Sequence, residues 1–157
     1  MIAPSRQRRD AQMKAKVIAF INTIINAVKA FLYANASAPL KRDFGSEWLD
    51  DRYRLHRSWG LPAVVSKRGY RAWYCRGVLH RRWGPAVKDP DGTRLWYKHG
   101  LYHREGGNPA VIRPNGRMEW WVDGVKHRDG DGPAVITGDG GLYWYKKGHM
   151  VRSERVE

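Results

Sequence analysis

The chain has 157 residues, and its hydrophobic content of 42% is enough for a packed core, so we expect a folded protein. Its 29 basic against 15 acidic residues give a net charge of +14, which favours an anionic partner such as nucleic acid, an acidic protein or an anionic membrane surface. The only cysteine is Cys75, which excludes an intrachain disulfide framework and a repeated cysteine metal site.

The first predicted element is a long amphipathic helix within residues 1–36. Residues 6–36 contain no glycine or proline, and large apolar side chains recur there at the spacing of one helical face. The apolar residues that would meet a partner or a membrane are Val17, Phe20, Ile21, Ile24, Ile25, Val28, Phe31 and Leu32. Basic residues crowd the start of this helix, the unfavourable end for its dipole, which indicates that they serve a partner.

Three interpretations of this helix stay open. It covers the repeat region and closes one edge of its sheet, or it associates with itself or another protein through both faces, or it contacts a membrane. Basic residues ahead of an apolar stretch are typical of a membrane anchor, whereas Asn22, Asn26 and Lys29 argue against one.

Residues 37–55 form a connector between the helix and the repeats. Ser46 stands at a position that suits the start of a short helix, which Trp48 and Leu49 would anchor. No long low-complexity linker is present.

Residues 56–150 contain four tandem copies of one unit of 23–24 residues, followed by a C-terminal tail at 151–157. The copies span residues 56–79, 80–102, 103–126 and 127–150. Each copy opens with His-Arg and continues with Pro-Ala-Val, a glycine, a tryptophan before a second large aromatic residue, and another glycine. Their tryptophans, which are 23, 24 and 24 residues apart, are Trp73, Trp96, Trp120 and Trp144.

The residue pattern of each copy predicts a β-hairpin. Pro-Ala-Val favours an extended first strand, and the glycine seven residues after the proline, as in Asp91-Gly92, suits a hairpin turn with positive φ. The aromatic pair lies on the returning strand. The sequence therefore predicts an α+β, mainly β protein, in which a long N-terminal helix precedes a twisted antiparallel meander or solenoid of four β-hairpin repeats with two strands each.

Adjacent residues of a strand point to opposite faces. The two neighbouring aromatic residues of each returning strand therefore form two rows, one on each face of the sheet. The row of recurring tryptophans is predicted to pack in the core. The second row, Tyr74, Tyr97, Trp121 and Tyr145, is predicted to be the more accessible one, with a second packing layer as the alternative.

The repeat period, the Asp-Gly and Asn-Gly turns and the aromatic residue before a glycine resemble MORN-type repeats and their shorter bacterial relatives, over about 95 residues. The His-Arg-x-x-Gly-Pro-Ala junctions depart from the MORN pattern and look like repeats of small phage and other viral proteins. The resemblance implies a docking or scaffolding module, linked in that family to membrane-associated partners, rather than an enzyme.

The residues themselves also argue against a metal site and against catalysis. His56, His80, His103 and His127 each stand beside an arginine in a different copy, without a second ligand at metal-binding spacing. A junction histidine instead suits a hydrogen bond to the backbone of a neighbouring turn. Nothing assembles a nucleophile, a base and an oxyanion site, so we expect no enzyme, no cofactor, no metal and no small-molecule substrate.

Positive charge is concentrated in the first two copies. Residues 56–102 contain ten basic and two acidic residues, a net charge of +8, whereas 103–157 contain nine and eight, a net charge of +1. The basic residues of the candidate binding surface are Lys67, Arg68, Arg71, Arg76, Arg81, Arg82, Lys88, Arg94 and Lys98. Tyr74 and Tyr97 are their candidate stacking partners.

Guanidinium groups beside flat aromatic rings suit RNA or single-stranded DNA. The leading hypothesis is a non-enzymatic, cytoplasmic protein that docks on nucleic acid or a ribonucleoprotein, in the cytoplasm of a host cell if the protein is viral. The alternatives are a protein-docking scaffold or viral assembly component that engages an acidic protein, and a peripheral membrane protein anchored by the N-terminal helix.

Overall fold

The computed structural model describes residues 12–25, 40–42 and 45–156. The chain divides into two compact units, Met1–Ser37 and Ala38–Glu157. In the first unit, residues 12–25 form a helix, α1, which confirms the predicted helix over that range.

The apolar residues predicted on the helix divide into two groups. Those in α1 have exposed side chains, namely Val17, Phe20, Ile21, Ile24 and Ile25. Val28, Phe31 and Leu32 lie outside the described residues. Among the residues that the structure describes, no helix combines the length and apolar character needed to cross a membrane.

The second unit is built from short strands. They are β1 (Leu40–Arg42), β2 (Gly45–Glu47), β3 (Val64–Ser66), β4 (Arg71–Ala72), β5 (Tyr74–Cys75), β6 (Val78–Leu79), β7 (Val87–Lys88), β8 (Arg94–Leu95), β9 (Tyr97–Lys98), β10 (Leu101–Tyr102), β11 (Val111–Ile112), β12 (Met118–Glu119), β13 (Trp121–Val122), β14 (Val125–Lys126), β15 (Val135–Ile136), β16 (Gly141–Lys146) and β17 (His149–Arg155).

Eleven of the described strands form one long antiparallel sheet, in the order β1-β2-β3-β4-β7-β8-β11-β12-β15-β16-β17. Its ten spacings of about 4.8 Å give an extent of about 48 Å across the strands. The other strands form three two-stranded hairpins, β5-β6, β9-β10 and β13-β14. The predicted mainly β fold with a long antiparallel sheet of hairpins is therefore confirmed.

The expectation of two strands in each copy is wrong for the first three copies, which contribute four short strands each. The reason is a second hairpin that follows each tryptophan. Cys75 pairs with Val78 across Arg76-Gly77, and both turn residues have positive φ, 51° and 87°. This is a two-residue type I′ turn, whose twist matches that of the strands it joins.

The first turn of each copy is of another kind. In the first copy, the Gly69 N–H donates to the Ser66 carbonyl at 3.1 Å, and the Ser66 N–H donates to the Tyr70 carbonyl at 2.9 Å. Gly69 has the positive φ, 92°, in this three-residue loop. The glycine predicted at this turn thus has the expected φ, in a three-residue loop whose αL glycine forms a bulge.

The connector contains strands instead of the short helix predicted to start at Ser46, and that prediction is wrong. β2 pairs with β3 and so continues the long sheet. The Trp48 N–H donates to the Ala63 carbonyl at 2.9 Å, as the Trp73 N–H donates to the Ala86 carbonyl at 2.8 Å. The segment before His56 therefore makes the same backbone contacts as the end of a repeat.

The last strand includes residues that the sequence assigned to a C-terminal tail. β17 has seven residues and pairs antiparallel with β16, with a bulge between Trp144 and Tyr145. Among the described strands it is the longest, and it forms one edge of the long sheet.

One face of the long sheet carries the core. Cross-strand partners on this face form a row that is mostly buried, consisting of Val64, Ala72, Val87, Leu95, Val111, Glu119 and Val135. Glu119 is satisfied there, because Arg117 Nε donates to it at 2.6 Å and Trp121 Nε1 donates to it at 3.0 Å. Side chains of the short hairpins, including Tyr74 and Leu79, pack against this row.

Candidate functional site

Three of the junction histidines accept a hydrogen bond from the second turn of their own copy. The backbone N–H of Arg76 donates to His56 Nδ1 at 3.2 Å, and the N–H of His99 donates to His80 Nδ1 at 3.1 Å. His103 accepts from the Asp123 N–H at 3.1 Å in the same way. The predicted hydrogen bond to a neighbouring turn is confirmed at these three junctions.

The arginine after each junction histidine covers a tryptophan that precedes it in the chain, in the preceding copy or, for Arg57, in the connector. Arg81 Cζ lies 3.8 Å from the centroid of the Trp73 ring, and Arg81 donates to the Pro85 carbonyl at 3.1 Å. Arg57, Arg104 and Arg128 make the equivalent pair of contacts. Burial lowers the pKa of Arg81, which stays charged. We call the contacts of the junction histidines, the junction arginines and the recurring tryptophans the frame of the repeats. We therefore assign Arg81 to this frame rather than to the binding surface that the sequence predicted.

The tryptophans are fixed at their polar edges as well as on their faces. Trp73 Nε1 donates to the Gly60 carbonyl at 2.7 Å, and Trp120 Nε1 donates to the Gly107 carbonyl at 2.8 Å. Both rings are 6% exposed, while Trp96 and Trp144 are half-buried. The recurring tryptophans therefore hold the junction loops onto the sheet.

Tyr74 and Tyr97 are not open stacking platforms. Both are half-buried and pack against the cluster of Val64, Ala72 and Val87. Burial raises the pKa of both phenols, and the hydrogen bond and charge of neighbouring Tyr102 add to the effect on Tyr97. The alternative of a second packing layer describes these residues better than the accessible row that we expected.

Three of the predicted cations meet in one row on the opposite face of the sheet. Arg71 on β4 is the cross-strand partner of Lys88 on β7, and Lys88 is the partner of Arg94 on β8. Like charges directly opposite one another destabilise a sheet. Within the described part of the chain, no carboxylate forms a salt bridge with these three cations.

The other predicted cations are distributed around this row. Lys67 and Arg68 are exposed in the first turn of copy one, and Arg76 is exposed in its second turn. Arg82 is exposed in the following junction loop, with Cζ 5.2 Å from the Trp83 ring centroid. Lys98 is partly neutralised, because its Nζ lies 2.8 Å from a carboxylate oxygen of Glu105.

Two exposed tryptophans in the junction loops were missed by the sequence reasoning. Trp59 is 67% exposed and Trp83 is 78% exposed. Together with Trp73, Arg81 and Arg82 they line one groove of about 480 Å³. The signal was present in the aligned copies, because this position is tryptophan in copies one and two and glycine in copies three and four.

The backbone conformation of Trp59 is unusual for a bulky residue. Its φ is 65°, in the left-handed region, where Gly106 and Gly130 of the later copies have φ values of 76° and 80°. A bulky side chain in this region costs of order 1–3 kcal/mol relative to an unstrained residue. Glycine satisfies the loop without that cost, so the loop geometry does not explain the tryptophan.

The grooves beside the later copies differ in size and charge. The groove between copies two and three measures about 600 Å³ and is lined by Trp83, Arg82 and Lys98 among others. The groove between copies three and four measures about 150 Å³, and Glu105 and Asp129 line it. Of these three grooves, the two that contact the second junction loop are the large ones, and both contain the exposed Trp83 and Arg82.

The cationic row and the first groove are continuous. Lys88 Nζ lies 5.9 Å from the centroid of Trp73, and Trp73 forms part of the groove wall. A ligand that spans this boundary would meet guanidinium and ammonium groups on one side and exposed indoles on the other. In the described part of the chain, no group of three His, Cys, Asp or Glu side chains is arranged to hold a metal ion.

No family model matches the chain, and no curated protein or solved structure is detectably similar to it. The resemblance to MORN-type repeats rests on the quoted residues alone and stays a prediction.

Proposed function

We propose that the first two repeats bind single-stranded nucleic acid, RNA or DNA, with little sequence preference. In this proposal the copies stack as a short solenoid, and the shared frame serves to present the cationic row and the tryptophan-lined grooves. The observation that carries the proposal is the in-register row of Arg71, Lys88 and Arg94, which has no carboxylate to balance it among the described residues.

The first step of recognition is electrostatic. Strand spacings of about 4.8 Å place three cations in a line about 10 Å long, which suits successive phosphates of one strand. Binding of phosphates would relieve the repulsion between these cations and release counterions from the nucleic acid. The net charge of +8 on residues 56–102 adds long-range attraction.

The second step is stacking on the exposed indoles. Trp59 and Trp83 line the same groove, and the two residues are 67% and 78% exposed. Every base has a flat face, so stacking tolerates any sequence, and it requires bases that are not already stacked in a duplex. The combination therefore favours a single strand over a double helix.

The test compares two triple variants that remove equal charge. In the first, Arg71, Lys88 and Arg94 are changed to Gln. In the matched control, the exposed residues Arg113, Lys146 and Lys147 are changed to Gln. Affinity for a fluorescently labelled oligouridylate and an oligothymidylate is measured by anisotropy over a series of salt concentrations.

We expect the control to resemble the unmodified protein apart from a small general loss of affinity. The variant of the cationic row should lose most of its affinity, and the slope of log K against log salt should become shallower by about 2, from about 0.7 for each phosphate contact. Equal losses in both variants would contradict the proposal. Retained capture of an acidic protein after nuclease treatment, without oligonucleotide binding, would favour the docking alternative.

A further inference from the structure

The edge strand β17 has features of an interface. Its seven residues are all exposed, whereas most other strands of the long sheet have two or three residues. In the part of the chain that the structure describes, β17 pairs with β16 alone. An edge of this length presents a row of backbone donors and acceptors to any strand that approaches it.

The hydrogen bonds identify which residues face outward. The Val156 N–H donates to the Gly140 carbonyl at 3.0 Å, towards β16. Backbone groups of alternate residues in an antiparallel strand point to opposite sides. The backbone groups of Glu154 and Arg152 therefore point towards β16, and those of Ser153 and Arg155 point away from the sheet.

We propose that two copies of this chain associate through β17, antiparallel and centred on Ser153. Ser153 would then exchange both backbone hydrogen bonds with Ser153 of the second copy. In this register Arg152 stands opposite Glu154 of the second copy, and the two-fold axis repeats the pair, so the interface contains two complementary charge pairs.

Repulsion between like charges disfavours the two neighbouring registers. Moving the centre to residue 152 would place Arg152 opposite itself, and moving it to residue 154 would place Glu154 opposite itself, which is unfavourable in both cases. In the single chain, Arg152 and Glu154 already form an ion pair on one side of the strand. The charges that pair within the chain would therefore also pair between the copies.

The position in the fold is compatible with self-association. The bulge in the pairing of β16 with β17 lies between Met150 and Arg152, so residues 152–155 form a regular strand. Residues 103–157 have a net charge of only +1, so the two copies would meet at their least charged ends. The association is independent of the proposed binding of nucleic acid.

Sedimentation velocity after nuclease treatment, over a concentration series, tests the interface. The unmodified chain is expected to shift towards the mass of two chains as its concentration rises. Arg152→Glu places Glu opposite Glu, and Glu154→Arg places Arg opposite Arg, so each single variant should stay monomeric. A mixture of the two variants restores complementary pairs, and it should form a heterodimer.

A cysteine cross-link tests the register itself. In a Cys75→Ser background, Ser153→Cys puts two thiols across the two-fold axis, where the Cα separation of about 5.5 Å suits a disulfide. Arg155→Cys is the control, because residue 155 would face residue 151. Efficient cross-linking of the first variant alone is expected. A chain that stays monomeric at all concentrations, a mixture that fails to associate, or equal cross-linking of both cysteines would overturn the proposal.

Discussion

The first two repeats and the last two repeats share a frame and differ on the surface that the frame presents. The cross-strand row that contains Arg71, Lys88 and Arg94 continues in the later copies with apolar side chains. These are Ile112, Met118, Ile136 and Leu142. At the junction loops, exposed tryptophans in the early copies are replaced by glycines next to Glu105 and Asp129 in the later ones. The recurring positions form the shared backbone and packing contacts, and the two halves differ at the positions that vary.

The contrast is possible because the frame contacts are local. The junction arginines of the last three copies each cover the tryptophan of the preceding copy, and the first three junction histidines bind the second turn of their own copy. A repeat whose stability comes from its neighbours can change its outward residues without loss of those contacts.

The largest expected effect tests whether the frame is equal in the two halves. Trp73→Ala and Trp120→Ala each remove a buried indole, its hydrogen bond to a loop carbonyl and the surface under an arginine. We expect each variant to lose about 3–5 kcal/mol of the free energy of unfolding, measured with urea. A difference of more than about 2 kcal/mol between them would show that the two halves do not share one frame.

The next effect tests the functional difference between the halves. Trp83→Ala should reduce affinity for a single-stranded oligonucleotide by about 1–3 kcal/mol, because it removes a stacking partner. Its free energy of unfolding should change by no more than about 0.5 kcal/mol, because the ring is 78% exposed. Tyr53→Ala is the control, since Tyr53 is 87% exposed and does not line these grooves. Equal losses from both changes would remove the special role of the groove.

A smaller effect separates the two roles considered for Arg81. Arg81→Lys keeps the charge but loses the planar contact with Trp73 and the geometry of the bond to the Pro85 carbonyl. We expect the free energy of unfolding to fall by about 1 kcal/mol and the oligonucleotide affinity to change less than about twofold. An affinity loss without a stability loss would return Arg81 to the binding surface.

The smallest effect is a pH dependence at one junction. Burial lowers the pKa of His80 from 6.5, and the nearby His99 and Lys98 lower it further. The folded protein therefore binds this proton less readily than the unfolded chain, so the contribution to stability is complete above about pH 6.5 and is lost as the pH falls through the folded pKa. Tm should decrease on acidification from pH 7.5 to pH 5. His80→Asn keeps an acceptor without titration, and it should make that decrease smaller.

Much of the frame could be read from the sequence, because its signals are local and repeated. Helix periodicity predicted the described part of α1, and the Pro-Ala-Val segments and turn glycines predicted the hairpins. The second hairpin was missed because its turns, such as Arg76-Gly77, have a positive φ at a residue type that rarely adopts one. The connector was misread because its partner strand β3 lies well beyond it in the sequence, and local propensity favoured a helix start at Ser46.

The candidate binding surface depends on contacts that the sequence does not show. The sequence gives the positions of the basic and aromatic residues but not the residues that pack against them. For this reason Arg81, Tyr74 and Tyr97 were assigned to the surface, although the structure packs them into the frame. Register across the sheet, which brings Arg71, Lys88 and Arg94 into one row, depends on pairing between copies. Trp59 and Trp83 differ from the glycines at the same position of the later copies. They were missed because the prediction relied on the residues that recur in all four copies.

The type I′ turns have a consequence for how such a chain can change over time. At three of these turns the backbone N–H of the first residue donates to a junction histidine, and at two of the three its side chain also contacts that histidine. The first residues of all four turns have exposed side chains. These residues are Arg76, His99, Asp123 and Lys147. Stacked copies repeat such a position about every 10 Å, two strand spacings apart. Evolution, or a protein engineer, can therefore substitute these side chains while the backbone contacts stay in place, and asparagine would adopt the required φ with the least strain among the larger residues.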